Sequence, residues 1–599
     1  MFDTLAGGGG GLPPDSLRRY ALLADGERGA LVGPRGAIAF LCAPRWHDDA
    51  VFSSLLGGRG SYLVTPHSQR YVWGGHYEPG TLIWRSRWVA TSAVIECREA
   101  LAFPGDPDRV VLLRRIEATA GTAHVQVQLE CRANFGARAM TVRRNADDGW
   151  QGRTGDLTYR WSGAPGHTNL REDRLGFDLV VEEGESYDLV LEISRMLLPA
   201  RPPDPVAAWA QTERSWRDSA PDLSGSIAPG DSSHSHAVLR GLTSAGGGIV
   251  AAATTSLPER AEQGRNYDYR FSWIRDQCYV GQAAAVVGSF DLLDSAVSFV
   301  FARVLADGSQ LRPAYTVDGG PVPDERPVPL PGYPGAAVRV GNHVNQQFQL
   351  DSLGEALLLL SAADRLDRLE SDGLRAIETL VSAIEERHED PDAGIWELDH
   401  QRWAHSRLMC AAGLRAAAER RTGKGPGADW DKLADRLVES VNRDCLHPTG
   451  RWQRSPDDAR VDAALLLPGI RGAVPAGDDR HLATVHAVVE ELSDDGHVYR
   501  FRQGRERPLH DAEGAFLLCG FHLSLAMHQQ GRSLEAVRWF ERNRSAMGPP
   551  GLLTEEYDVV QRQLRGNLPQ AFVHALLLET AHRLGEAGVS SRGFWTRDR

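Results

Sequence analysis

The sequence predicts an α+β multidomain chain, with an N-terminal sandwich of antiparallel β-sheets followed by a larger domain of paired helices. Three observations predict it. Residues 20 to about 200 hold short runs such as GALVGPRGAIAFLCAP, DRVVLLRRIEAT, HVQVQLECR and ESYDLVLEIS, which alternate or run apolar between Gly, Pro and Asp. Many short strands without helices between them read as two packed antiparallel sheets. The stretch LLPARPPDPVAAWAQTERSWRD then changes character, from a Pro-rich boundary to a helix. From about residue 234 the apolar period becomes helical: in DGLRAIETLVSAIEER, Leu374, Ile377, Leu380, Val381 and Ile384 share one helical face.

These signals divide the chain into a flexible tail (1–19), a β-sandwich (20–203), a linker with a helix (204–233) and a helical domain (234–599). The opening MFDTLAGGGGGLPPDSLRRY lacks the basic and apolar regions of a signal peptide and reads as tail. In the last segment DSLGEALLLLSAADRL, SRLMCAAGLRAAAERR, DWDKLADRLVESVNRD, HLATVHAVVEELS, SLEAVRWFERN and QAFVHALLLETAHRLG repeat the one-faced pattern. Roughly ten to twelve helices are expected, stacked as antiparallel pairs, either open as a solenoid or closed as a toroid.

Composition excludes several functions. With 599 residues the chain exceeds one ordinary domain. A net charge of −13 and the lack of a basic run argue against nucleic acid as partner. No apolar run is long enough for a bilayer, so no membrane partner is expected. The seven cysteines are scattered without CxxC spacing, which fits a reduced, cytoplasmic protein without structural zinc. No His, Cys or carboxylate cluster has metal-ligand spacing, and GGGGG at 7–11 is not followed by the Gly-Lys-Ser/Thr of a phosphate loop, so neither metal nor cofactor is expected. A homo-oligomer is left open.

Chemistry concentrates on loops. GRNYDYRFSWIRDQCY (264–279) mixes Asp, Asn and Arg with the rings of Tyr267, Tyr269, Phe271 and Trp273; RVGNHVNQQFQLD (339–351) is rich in amides; DAGIWELDHQRWAHS (392–406) sets Trp396 against Glu397; GLLTEEYD (551–558) carries two adjacent glutamates. Aromatic faces cover the C–H faces of a sugar, while carboxylates, amides and arginines satisfy its hydroxyls. Each residue also has a plain structural explanation, an ion pair for Arg275 and Asp276 or a solvated surface for Glu397. Composition alone therefore gives sugar binding, with cleavage open.

RNYDYRFSWIRD, GIWE, SRLMC, EGAFLLCGF, LLTEEYD and GNLPQAF occur in the order found in glycoside hydrolase family 15, and GALVGPRGAIAFLCAPRWHDDAVFSSLL resembles its bacterial members. The resemblance covers nearly the whole chain and implies a β-sandwich followed by an (α/α)6 barrel, spanning 234–599 as the catalytic domain. It implies hydrolysis of a small α-glucoside with inversion, as in glucoamylases and trehalases. Carried over motif by motif, it makes Glu397 the general acid, Glu555 the general base and Tyr269 the tyrosine that bonds the attacking water. Trp273, Arg275 and Asp276 would grip the non-reducing glucose, Trp396 would supply wall and partial desolvation, and Arg500 in HVYRFR would add a further glucose contact. Inversion needs room for water, so the two carboxyls should lie roughly 6.5–9.5 Å apart.

This chain departs from the family at Asn345, where a Tyr or Trp is usual, and in LDHQRW after GIWE. Both departures suggest a more polar leaving-group subsite, with Asn345 binding a hydroxyl. An exo-acting hydrolase of glucoamylase type is the main expectation and trehalase the nearest alternative. A phosphorylase on the same barrel would not need Glu555, and a carbohydrate-binding pseudoenzyme would need neither glutamate.

Overall fold

The computed structural model describes residues 14–145, 149–171, 173–260, 265–334, 336–421, 426–503, 508–511 and 513–594. Most of the expected tail, residues 1–13 with the five-glycine run, lies outside them.

Among the described residues, the N-terminal region folds into two eight-stranded antiparallel sheets. One runs in the order Ala21–Ala24, Gly29–Val32, Ala37–Cys42, Ser61–Pro66, Ala123–Glu130, Arg174–Val181, Asn169–Arg171, with Ala50–Phe52 beside Ala37–Cys42. The other runs Arg143–Asn145, Gly149–Thr154, Leu157–Ser162, Ser186–Ser194, Arg109–Ala120, Val94–Leu101, Trp84–Ala90, Tyr71–Tyr77. Alternate residues of both, including Tyr62, Val64, Trp88, Leu112 and Trp161, meet in one shared core, as the period of two requires. Arg114 and Glu99 are fully buried as an ion pair inside it, with Arg114 also donating to the Tyr62 carbonyl at 2.9 Å.

Thirteen helices follow among the described residues: α1 (Pro205–Asp218), α2 (Pro229–Leu242), α3 (Ile274–Val287), α4 (Phe290–Asp307), α5 (Asp351–Arg365), α6 (Ser371–Arg387), α7 (Ala404–Ala418), α8 (Gly427–Asp444), α9 (Leu467–Ile470), α10 (Asp479–Leu492), α11 (Leu517–Gln529), α12 (Ser533–Arg544) and α13 (Ala571–Phe594). Helix α2 begins at Pro229, ahead of the point where apolar periodicity becomes readable. Pro at the first helical position was the available sign, but the polar DSSHSH that follows hid it.

Helix α3 packs on α5, α5 on α7, α7 on α9, α9 on α11, α11 on α13, and α13 returns to α3. Helices α3, α5, α7 and α11 are buried on nearly every side, so α5 and α7 are not the one-faced helices their sequences suggested. Helices α6, α8, α10 and α12 bury one face only.

The N-terminal region braces the loop that leads into α3. Arg270 grips Asp268 through Nε and Nη2 at 2.8 and 2.7 Å, and its Nη1 donates to the carbonyl of Asp48 at 2.7 Å. Asp268 accepts in turn from the Gly341 amide at 2.9 Å. Three separate stretches of chain are therefore fixed around one buried guanidinium. Among the described residues no helix is long and apolar enough to cross a membrane, and all seven cysteines are buried and unpaired.

Candidate active site

Loops preceding α3, α5, α7 and α13 surround a cavity of about 250 Å³. The first of them runs into the short strand Ser272–Trp273, which pairs with Ala314–Tyr315. Tyr267 and Tyr269 stack with ring centroids 6.3 Å apart, and Tyr269 meets Trp273 edge-on at 5.6 Å. Arg275 and Asp276 follow in the first turn of α3. Arg275 Nη1 donates to the Ile395 carbonyl at 2.7 Å, which ties this loop to the one carrying Glu397.

That second loop is held by Asp392, which accepts from the Gly394 amide at 2.7 Å and from Ser406 Oγ at 2.9 Å. Gly394 and Glu397 both take the left-handed conformation, at φ 65° and 53°. For glutamate that conformation costs roughly 1–3 kcal/mol and persists only where the surroundings enforce it. Here it turns the Glu397 carboxyl into the cavity, where Trp273 Nε1 donates to it at 2.8 Å and Arg275 Nη2 lies 3.6 Å away. Trp396 is held by Asp462, which accepts from its Nε1 at 2.9 Å, and packs edge-on against Phe516.

Glu555 and Glu556 point in opposite directions, as neighbours entering a strand must. Glu555 faces the cavity and accepts from the Tyr269 hydroxyl at 3.0 Å, while its carbonyl takes the Leu517 amide at 3.0 Å. Glu556 is fully buried away from the cavity lining and accepts from the Gly514 amide at 2.7 Å. Burial and the neighbouring charge of Glu259 push the Glu555 carboxyl above the usual range, with Arg500, Tyr269 and Arg275 pulling back. Asp276 is buried with no hydrogen-bond partner for either carboxyl oxygen among the described residues, and Arg275 Nε stands 3.5 Å from it. Two unspent acceptors facing a cavity suit the hydroxyls of a sugar.

Eight of the residues singled out in sequence line this one cavity: Tyr269, Trp273, Arg275, Asp276, Trp396, Glu397, Arg500 and Glu555. Arg500 is clamped by Glu513 at 2.5 Å and lies over the ring of Phe516, 4.2 Å from its centroid. Asn345 is not brought in. It sits exposed on a one-turn 3-10 helix, Val344–Gln346, and its Nδ2 donates to the Val322 carbonyl at 2.7 Å. Its loop contributes Asn342, His343 and Gln347 to the lining instead. Sequence reading also missed Glu259, Arg265 and Gln503, which line the cavity. The segment LPER that carries Glu259 has no aromatic setting to draw attention.

The family described as "Glycosyl hydrolases family 15" matches residues 237–582, and a second family, "Trehalase-like, N-terminal", matches residues 10–154. Fold and family together define a glycoside hydrolase. The chain belongs to glycosyl hydrolases family 15. It is 28% identical to the Trehalase of Mycobacterium tuberculosis (94% of this chain, 89% of that one) and 29% identical to the Trehalase of Mycolicibacterium smegmatis (94% and 90%). A bacterial glucoamylase solved with acarbose superposes with a TM-score of 0.67 over 96% of this chain and 94% of that one, at 13% identity, which is a likeness of fold.

Proposed function

We propose that the protein is an inverting, exo-acting hydrolase of short α-glucosides. The observation that carries the reading is the pair of carboxyls facing one cavity from separate loops, Glu397 beside Trp273 and Glu555 beneath the Tyr269 hydroxyl. In this reading Trp273, Arg275 and Asp276 hold the glycone. Glu397 donates a proton to the glycosidic oxygen as the bond breaks. Glu555, ionised, takes a proton from the water that attacks the opposite face of the anomeric carbon, and Tyr269 orients that water. We assign the N-terminal sheets as a β-sandwich and the helices from α2 to α13 as an (α/α)6 barrel, on the strength of the ring of contacts described above. Buried, unpaired cysteines support a reducing compartment, the cytoplasm.

A narrower reading, hydrolysis of α,α-trehalose, is favoured by two observations. The N-terminal region matches a trehalase-like family. The cavity lining adds the charged and polar Arg265, His343, Gln347 and Gln503 to its aromatic rings, which suits a short, hydroxyl-rich substrate better than a long glucan. Incubation of the purified protein with trehalose, maltose, isomaltose and maltotriose, with and without phosphate, tests both. Glucose released without phosphate supports hydrolysis, and trehalose as the best substrate supports the narrower reading. Glucose 1-phosphate formed only with phosphate would replace it with a phosphorylase, and no turnover on any substrate would leave a binding protein.

A further inference from the structure

Besides Glu397, Glu555 and Asp276, a fourth carboxyl lines the cavity and has no part in the two-carboxyl mechanism. Glu259 lies ahead of Tyr269 in the chain, with its amide donating to the Arg265 carbonyl at 2.9 Å. The Tyr269 hydroxyl stands between two carboxyls, 3.0 Å from Glu555 Oε2 and 3.3 Å from Glu259 Oε1. A phenol carries one hydrogen and can donate to only one of them. The other oxygen contact is favourable only if that carboxyl is itself protonated and donates to the phenol oxygen.

We propose that Glu259 and Glu555 compete for one shared proton across the Tyr269 hydroxyl, and that this competition sets the pH below which the base is lost. The proposal rests on the reading of Glu555 as base. No group leaves or arrives: one proton moves between two carboxyl oxygens and solvent. Two ionised carboxylates in so enclosed a site repel, so one proton is retained where isolated glutamates would hold none, and the titration belongs to the pair. Burial raises both carboxyls above their usual range, and the charge of Glu259 adds to the push on Glu555. As pH falls, the share of the pair's proton that Glu555 holds is lost to the base.

The surrounding charges leave this competition in place. Arg500 faces both carboxyls but is already gripped by Glu513, Nη2 to Oε2, at 2.5 Å. Arg265 favours the Glu259 anion and lies 3.5 Å from the same Glu513. Arg275 favours the Glu555 anion from the far side and is shared with Asp276, Asp351 and Glu397. Glu513 adds further negative charge, burial first and then Glu259 hold the Glu556 carboxyl well above its usual range, and the Tyr267 and Tyr269 hydroxyls are held neutral by burial. Glu259 is thus a positioning residue acting through Tyr269.

The test is the pH profile of kcat/KM on an α-glucoside that the wild type hydrolyses. Glu259→Gln removes the competing charge, so Glu555 should stay ionised to lower pH and the acid limb should move down by about one unit. Tyr269→Phe removes the donor to Glu555 and should move the same limb up. A residue that only props the loop would lower kcat without moving the limb. An acid limb unmoved in Glu259→Gln, with circular dichroism unchanged, overturns the proposal. Should that variant not fold, an unmoved limb in Tyr269→Phe overturns it instead. Failure of the underlying reading looks different: wild type inactive on every α-glucoside, or Glu555→Gln as active as wild type.

Discussion

Replacing Gly354 by alanine should loosen the fold and the site together. Gly354 lies in α5 where it crosses α7, and a β-carbon there would meet the Met409 carbonyl oxygen at 2.4 Å and the Cys410 nitrogen at 2.7 Å. These are backbone atoms that cannot swing aside. A relaxed contact needs about 3.5 Å, so the helices must part by about 1 Å. Overpacking of this kind costs about 1–3 kcal/mol. Alanine's better helix propensity returns at most about 1 kcal/mol, so the clash wins. The loops ahead of these two helices carry Asn342, His343 and Gln347 on one side and Ile395, Trp396 and Glu397 on the other. A 1 Å displacement at a reacting group costs about 10²-fold in rate. Gly413→Ala should act alike, because its β-carbon would sit 2.5 Å from the Gly354 carbonyl. Gly230→Ala, in the first turn of α2 with nothing within 4 Å, should be neutral or slightly stabilising. Denaturation midpoints and kcat/KM for the three variants are the assay. A Gly354→Ala protein as stable and as active as wild type would refute the reasoning.

Glu397→Gln and Glu555→Gln should each lower kcat by about 10²–10⁴-fold, and Glu556→Gln much less, since a glutamine there can still accept the Gly514 amide. An essential Glu556 beside a dispensable Glu555 would shift the base by one residue. Glu579 on α13 bridges Arg471, after α9, at 2.7 and 2.9 Å. Burial opposes its charge, but Arg471 and Arg583 overcome that and bring it down to about 2. Because the folded value lies below the unfolded one, this pair stabilises fully above about pH 4.5 and is lost as pH falls toward 2. Glu579→Ala should cost about 3–5 kcal/mol at neutral pH by stranding Arg471, and urea unfolding of the variant between pH 7 and pH 3 should be less acid-sensitive than that of wild type.

The sequence made the architecture readable where local chemistry is periodic. Alternation in HVQVQLECR and the 3.6-residue period in Ile377, Leu380, Val381 and Ile384 report which face is buried, whereas Leu374, placed on the same face by its spacing, lies exposed in the first turn of α6. The site was readable where chemistry-bearing residues cluster in one short loop, as from Tyr269 to Asp276. It was not readable where the role comes from contacts between distant stretches. Glu259 gains its meaning only when Tyr269 brings it to Glu555. Asn345 lost its expected place because a single 3-10 turn buries Val344 and swings its neighbour outward, a rotation that spacing alone does not encode.

The central claim is direct displacement by water with Glu555 as base, and the anomer of the first product tests it most directly. Proton NMR of a fresh digest of α,α-trehalose should show α- and β-glucose appearing in equal amounts before mutarotation. The attacked ring inverts while the leaving ring keeps its configuration. On an α-glucoside with a non-sugar leaving group, β-glucose alone should appear first. Early α-glucose alone, from either substrate, would contradict the account.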